Sequence, residues 1–88
     1  MQLTKSLATA WAQHSINVNT ILPGWIETDM TAPIGERPEM LGQILDRTPF
    51  KRMGGIEEMA GAAIYLASRA SDFVTGASLP VDGGYSIG

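Results

Sequence analysis

A chain of 88 residues with 44% hydrophobic composition can make at most one small domain, and that composition is globular rather than disordered. Its net charge of −3, with Lys and Arg scattered, leaves no basic footprint for nucleic acid, and the lack of cysteine excludes disulfides and thiolate metal sites. His14 is the only histidine, which excludes a histidine-built metal cluster; no apolar run could cross a bilayer, and MQLTKSLATAW has no signal-peptide pattern, so a cytoplasmic protein is expected.

The first predicted element is a helix within residues 1–14. Leu3, Leu7, Ala10, Trp11 and His14 recur at spacings of three and four and share one face. No Ser, Thr, Asp or Asn stands ahead of this run as a cap. A strand is predicted at 16–22, INVNTIL, where Ile16, Val18 and Thr20 alternate with Asn17 and Asn19. Pro23 cannot donate to a ladder and Gly24 permits unusual dihedrals, so the strand stops there. Taken alone, Pro23-Gly24 reads as a plain strand-terminating turn.

Residues 29–50 form a long excursion in which Pro33, Pro38 and Pro49 bracket a helical stretch, PEMLGQILDR, with Met40, Leu41, Ile44 and Leu45 on one side. Such excursions are commonly lids or binding loops. A second clear helix is predicted at 56–68. Glu57 and Glu58 lie in its first turn, where the dipole favours anions, and Met59, Ala60, Ala63, Ile64 and Ala67 form an apolar stripe. A last strand at 77–82 ends in the turn signal Asp82-Gly83-Gly84. Strands separated by helical crossovers imply parallel pairing and an α/β fold. Two parallel strands with two main helices would leave edges unpaired and apolar faces uncovered, so residues 1–88 are expected to be an incomplete piece of a doubly wound domain.

Four motifs in order carry a resemblance over essentially the whole chain: LTKSLA followed by INVN, the segment PGWIET, RMGGIEEMAGAAIYLAS, and FVTGASLPVDGGYS. Together they resemble the C-terminal third of the short-chain dehydrogenase/reductase family. The resemblance implies the last part of a Rossmann-like doubly wound parallel sheet, with NAD or NADP as cofactor and a small carbonyl or alcohol as substrate. It also implies a homo-oligomer, a dimer or tetramer, and no membrane or nucleic-acid partner. Pro23 and Gly24 would open the segment lying along the nicotinamide. The backbone of Ile26 would bond the carboxamide, and the Thr28 hydroxyl the carboxamide or pyrophosphate. Residues 29–50 match the substrate loop, which makes Trp25 and Met30 candidate substrate contacts, with simple packing as the other reading for both. Arg52 fits a structural pairing with a nearby carboxylate or carbonyl, and Asp82-Gly83-Gly84 a turn rather than a phosphate cradle.

The family's glycine-rich loop, catalytic serine and Tyr-x-x-x-Lys pair are not in these residues. Tyr65 and Tyr85 lack a lysine four positions on, so no catalytic residue and no metal ligand is assigned. The expectation is the C-terminal fragment of an NAD(P)-dependent oxidoreductase, of the sugar or gluconate dehydrogenase type or the 3-oxoacyl-carrier-protein reductase type, inactive by itself. Two alternatives remain: a non-catalytic subunit-interface module, or a truncated product without function.

Overall fold

A computed structural model describes residues 2–88; the expected helix start at Met1 lies outside the described residues. Helix α1 spans Gln2–Trp11 and tightens into a 3₁₀ turn at Ala12–His14. The chain reverses at Ser15, which takes a left-handed conformation (φ 59°) and returns its N–H to the Ala12 carbonyl. Strand β1 is Thr20–Pro23, followed by helices α2 (Ala32–Gly35), α3 (Pro38–Arg47) and α4 (Ile56–Ala67), and strand β2 is Ser78–Val81.

The two strands pair in parallel, Thr20 opposite Ser78 and Pro23 opposite Val81. The regular ladder is shorter than the strands read from the sequence. Over residues 16–19 side chains share the work with one cross-chain backbone bond, from the Gly76 N–H to the Val18 carbonyl at 2.7 Å. Asn17 Nδ2 donates to the carbonyls of Ser71 and Asp72, while Asn19 donates to the Val74 carbonyl and accepts from the Ala77 N–H. The alternating Asn residues that resembled the solvent face of a strand are thus clamps on the loop leading into β2. At the other end the pairing runs on through Pro23, because the Gly24 N–H still reaches the Val81 carbonyl at 3.0 Å.

The carbonyls of Ala77 and Val81 both face β1. By the alternation of a ladder, the backbone of Pro80 faces the outer edge of β2, the one place in a strand where a missing N–H breaks no bond. Helix α4 packs against both strands, and α1 is tied to β1 by a hydroxyl–hydroxyl hydrogen bond between Thr4 and Thr20.

Little of the apolar surface is covered. Among the described residues only Ala8 and Ile44 are buried hydrophobics, while Leu3 and Ile64 are 68% and 69% exposed. The accessible surface is 6335 Å², against about 5000 Å² for a compact monomer of this mass. The radius of gyration is 15.6 Å, with extents of 50 × 22 × 21 Å, where a compact 88-residue domain would have about 12 Å. These helices and strands are shaped to pack against surface that the 88 residues do not supply.

Candidate functional site

The segment after Pro23 leaves the carboxyl end of β1, the end at which doubly wound sheets bind ligands. Gly24 is required by close packing: a Cβ there would lie 2.5 Å from the Cβ of Asp82 and 2.7 Å from its Cα. The chain then runs alongside Gly54 in a single parallel bridge. The Trp25 carbonyl accepts from the Gly54 N–H at 2.9 Å, and the Glu27 N–H donates to the Gly54 carbonyl at 2.8 Å. Both polar backbone groups of Ile26 therefore point away from Gly54.

Thr31 meets one of them. Its hydroxyl donates to the Ile26 carbonyl at 2.7 Å and accepts from the Thr28 N–H at 2.9 Å. The Thr28 carbonyl in turn accepts from the N–H groups of Thr31 and Ala32 at 3.1 and 3.0 Å. Neither the Ile26 N–H nor the Thr28 hydroxyl has a hydrogen-bond partner among the described residues. A free donor and a free hydroxyl at a strand end can engage a carboxamide, which offers one acceptor and one donor group. The Ile26 carbonyl keeps a second lone pair for the same purpose.

Thr28 opens into a cleft of about 560 Å³ between residues 27–29, Thr31 and Ala32, Leu41 and Leu45 of α3, and the loop 51–53. The Ile26 side chain lines a smaller cleft of about 260 Å³, with Phe50, Arg52, Gly54, Glu58 and residues 80–84. The expected residues are thus not gathered into one pocket, and Trp25 and Met30 line neither cleft. The Trp25 and Tyr85 rings form a T-shaped pair, centroids 6.4 Å apart at 81°, and the Arg47 guanidinium lies 4.4 Å over the Tyr85 ring. Met30 is 91% exposed.

Arg52 forms an exposed ion pair with Glu58 at 2.7 Å and also donates to the Met53 carbonyl. The Arg52 hydrogen bond, then the Gly55 N–H, holds the Glu58 carboxyl below the usual carboxylate range. Asp82 caps the last turn, accepting from the N–H groups of Gly84 and Ser86 at 2.9 and 3.2 Å. Hydrogen bonds from Ser86 and then Gly84 lower its carboxyl in the same way. No group of three or more His, Cys, Asp or Glu among the described residues could hold a metal ion.

Thr31, Tyr85 and Arg47 were not singled out from the sequence. Thr31 had a local signal, a hydroxyl three residues after Thr28 and directly before Ala32, the spacing of a side chain that reaches back across a helix start. Tyr85 meets Trp25 only through the fold, and no local pattern announces that contact.

A family model described as enoyl-(acyl carrier protein) reductase matches residues 1–86. The chain belongs to the short-chain dehydrogenase/reductase family. The galactitol 2-dehydrogenase (L-tagatose-forming) of Cereibacter sphaeroides is 49% identical over 86 residues, covering 98% of this chain and 34% of that protein. The gluconate 5-dehydrogenase of Gluconobacter oxydans is 44% identical over 85 residues, 97% of this chain and 33% of the relative. Among solved structures, a gluconate 5-dehydrogenase from Burkholderia cenocepacia in complex with NADP and tartrate is 40% identical with a TM-score of 0.91, covering 99% of this chain and 34% of that one. The chain spans about a third of the length of the curated dehydrogenases it matches. Its fold is that part of the Rossmann-like doubly wound sheet, and no helix among the described residues is long and apolar enough to cross a membrane.

Proposed function

We propose that these residues form the nicotinamide-side wall of an NAD(P)-dependent oxidoreductase acting on a small sugar, sugar acid or related carbonyl or alcohol. The observation that carries this reading is the pair left unpartnered beyond β1, the Ile26 N–H and the Thr28 hydroxyl. The names of the similar dehydrogenases, and NADP in the gluconate 5-dehydrogenase complex, support the cofactor and the substrate class. The bound dinucleotide supplies a hydride acceptor or donor at C4 of its nicotinamide.

The chain's own residues bind and orient. Pro23 is the last residue of β1, and Gly24 lets the segment turn against Asp82. The Ile26 backbone and the Thr28 hydroxyl hold the carboxamide and so fix which face of the ring meets the substrate. Trp25 and Met30 flank the substrate: Trp25 is held by Tyr85, and Met30 gains its apolar contact from the substrate itself. Among the described residues no tyrosine is followed four positions on by a lysine, which supports the reading that the 88-residue chain by itself does not catalyse.

In the enzyme that carries these residues, Thr28→Val is expected to raise the KM for NAD(P)H several-fold, the order of one lost hydrogen bond. Thr28→Ser should restore it, and steady-state kinetics with NAD(P)H varied checks both. Unchanged cofactor KM in Thr28→Val, or oxidation of NAD(P)H by the 88-residue chain with a sugar or ketone, would overturn the proposal.

A further inference from the structure

The geometry points to Thr31 as a positioning residue for the nicotinamide-side segment, a role that rests on the cofactor reading above. Between the end of β1 and Ala32 no regular element fixes the peptide planes, and from Trp25 to Glu27 the backbone restraint among the described residues is the bridge to Gly54. That bridge engages the Trp25 carbonyl and the Glu27 N–H, which lie on one edge of the segment. A segment held along one edge is free to rock about its length, which would swing the Ile26 N–H and the Thr28 side chain together.

Thr31 holds the other edge. One oxygen atom, Oγ1, donates to the Ile26 carbonyl at 2.7 Å and accepts from the Thr28 N–H at 2.9 Å, so it bridges the two peptide groups on either side of Glu27. The Thr28 carbonyl, taken by the N–H groups of Thr31 and Ala32, folds residue 31 back over residue 28. From Trp25 to Thr28 the Trp25 carbonyl, the Ile26 carbonyl, the Glu27 N–H and both backbone groups of Thr28 are thereby engaged, while the Ile26 N–H stays open for a ligand. The hydroxyl that clasps the segment belongs to Thr31, and this is what keeps the Thr28 hydroxyl unspent.

A hydroxyl serving only as a cap for the turn before α2 would support stability without favouring one part of the cofactor. The two roles separate by ligand. NAD(P)H carries the nicotinamide, while ADP-ribose, or its 2′-phosphate where NADP is the cofactor, lacks it. Dissociation constants for both are measured by calorimetry on the full-length enzyme and on Thr31→Val and Thr31→Ser. Valine keeps the shape of threonine and removes the hydroxyl; serine keeps the hydroxyl.

Thr31→Val is expected to weaken NAD(P)H about tenfold, the order of two lost hydrogen bonds, and to leave ADP-ribose within about twofold. Thr31→Ser is expected to restore NAD(P)H binding. Unchanged NAD(P)H affinity in Thr31→Val, equal losses for both ligands, or no rescue by serine would each overturn the role. Should Thr31→Val not yield folded enzyme, Thr31→Ala carries the same two-ligand comparison. A parent enzyme that binds ADP-ribose and NAD(P)H equally would instead overturn the carboxamide contacts themselves, a result distinct from a failure of Thr31 alone.

Discussion

Two glycines with different surroundings make opposite demands on an added methyl group. At Gly24 the new Cβ would press into the backbone and Cβ of Asp82, neither of which is a flexible side-chain tip. Gly24→Ala is therefore expected to cost about 1–3 kcal/mol, the usual range for overpacking. At Gly42, inside α3, a Cβ meets nothing within 4 Å, and Gly42→Ala is expected to gain about 0.5–1 kcal/mol from the lower entropy of the unfolded chain. Thermal unfolding of the two variants in the full-length enzyme checks the pair, and equal shifts would contradict the packing argument. Pro23 and Gly24 announced themselves in the sequence because their backbone limits are intrinsic. The identity of the residue that Gly24 must avoid did not, since Asp82 arrives only through the β1–β2 pairing. Trp25 is the same case: its type was legible as a contact residue, its partner Tyr85 was not.

The helices were legible because their apolar spacing is local and repeats. Helix α4 spans Ile56–Ala67 against the 56–68 read from the periodicity, whereas α1 ends at Trp11 and residues 12–14 of the expected helix form a 3₁₀ turn. The strands were legible in existence but not in extent, because ladder bonds compete with side-chain bonds that have no period. At residues 17 and 19 the Asn side chains take the bonds to the loop before β2, and a backbone bond remains only at Val18. The last turn of the chain depends on a similar side chain, the Asp82 carboxylate, and so on pH. Its carboxyl is lowered in the folded state, so the cap is fully present above the ordinary carboxylate value of about 4 and is lost as pH falls through the lower folded value. Amide exchange at Gly84 and Ser86, corrected for intrinsic rates, is expected to speed up as the pH falls below about 4. Asp82→Asn keeps an acceptor without a titrating proton, and an acid step persisting in that variant would sink the assignment.

The whole molecule is more extended than its length requires, and its helices carry apolar faces into solvent. Exposed apolar surface on this scale marks contact with further protein. The 88-residue chain purified by itself is expected to bind a hydrophobic dye, to unfold without a sharp transition in urea, and to associate in light scattering. A monodisperse monomer with cooperative unfolding and no dye binding would contradict this, and with it the homo-oligomer and the interface module. That the sheet is unfinished could be read from the element order alone, since two parallel strands cannot be covered by two helices. By the alternation of the ladder, Pro80 faces the outer edge of β2 and Pro23 the outer edge of β1, so each edge lacks one donor, while Ile21 still offers its N–H and carbonyl on the β1 side. The two prolines thus limit the register of whatever is laid beside either strand: a strand beside β1 can bond Ile21 but can take no donor from Pro23.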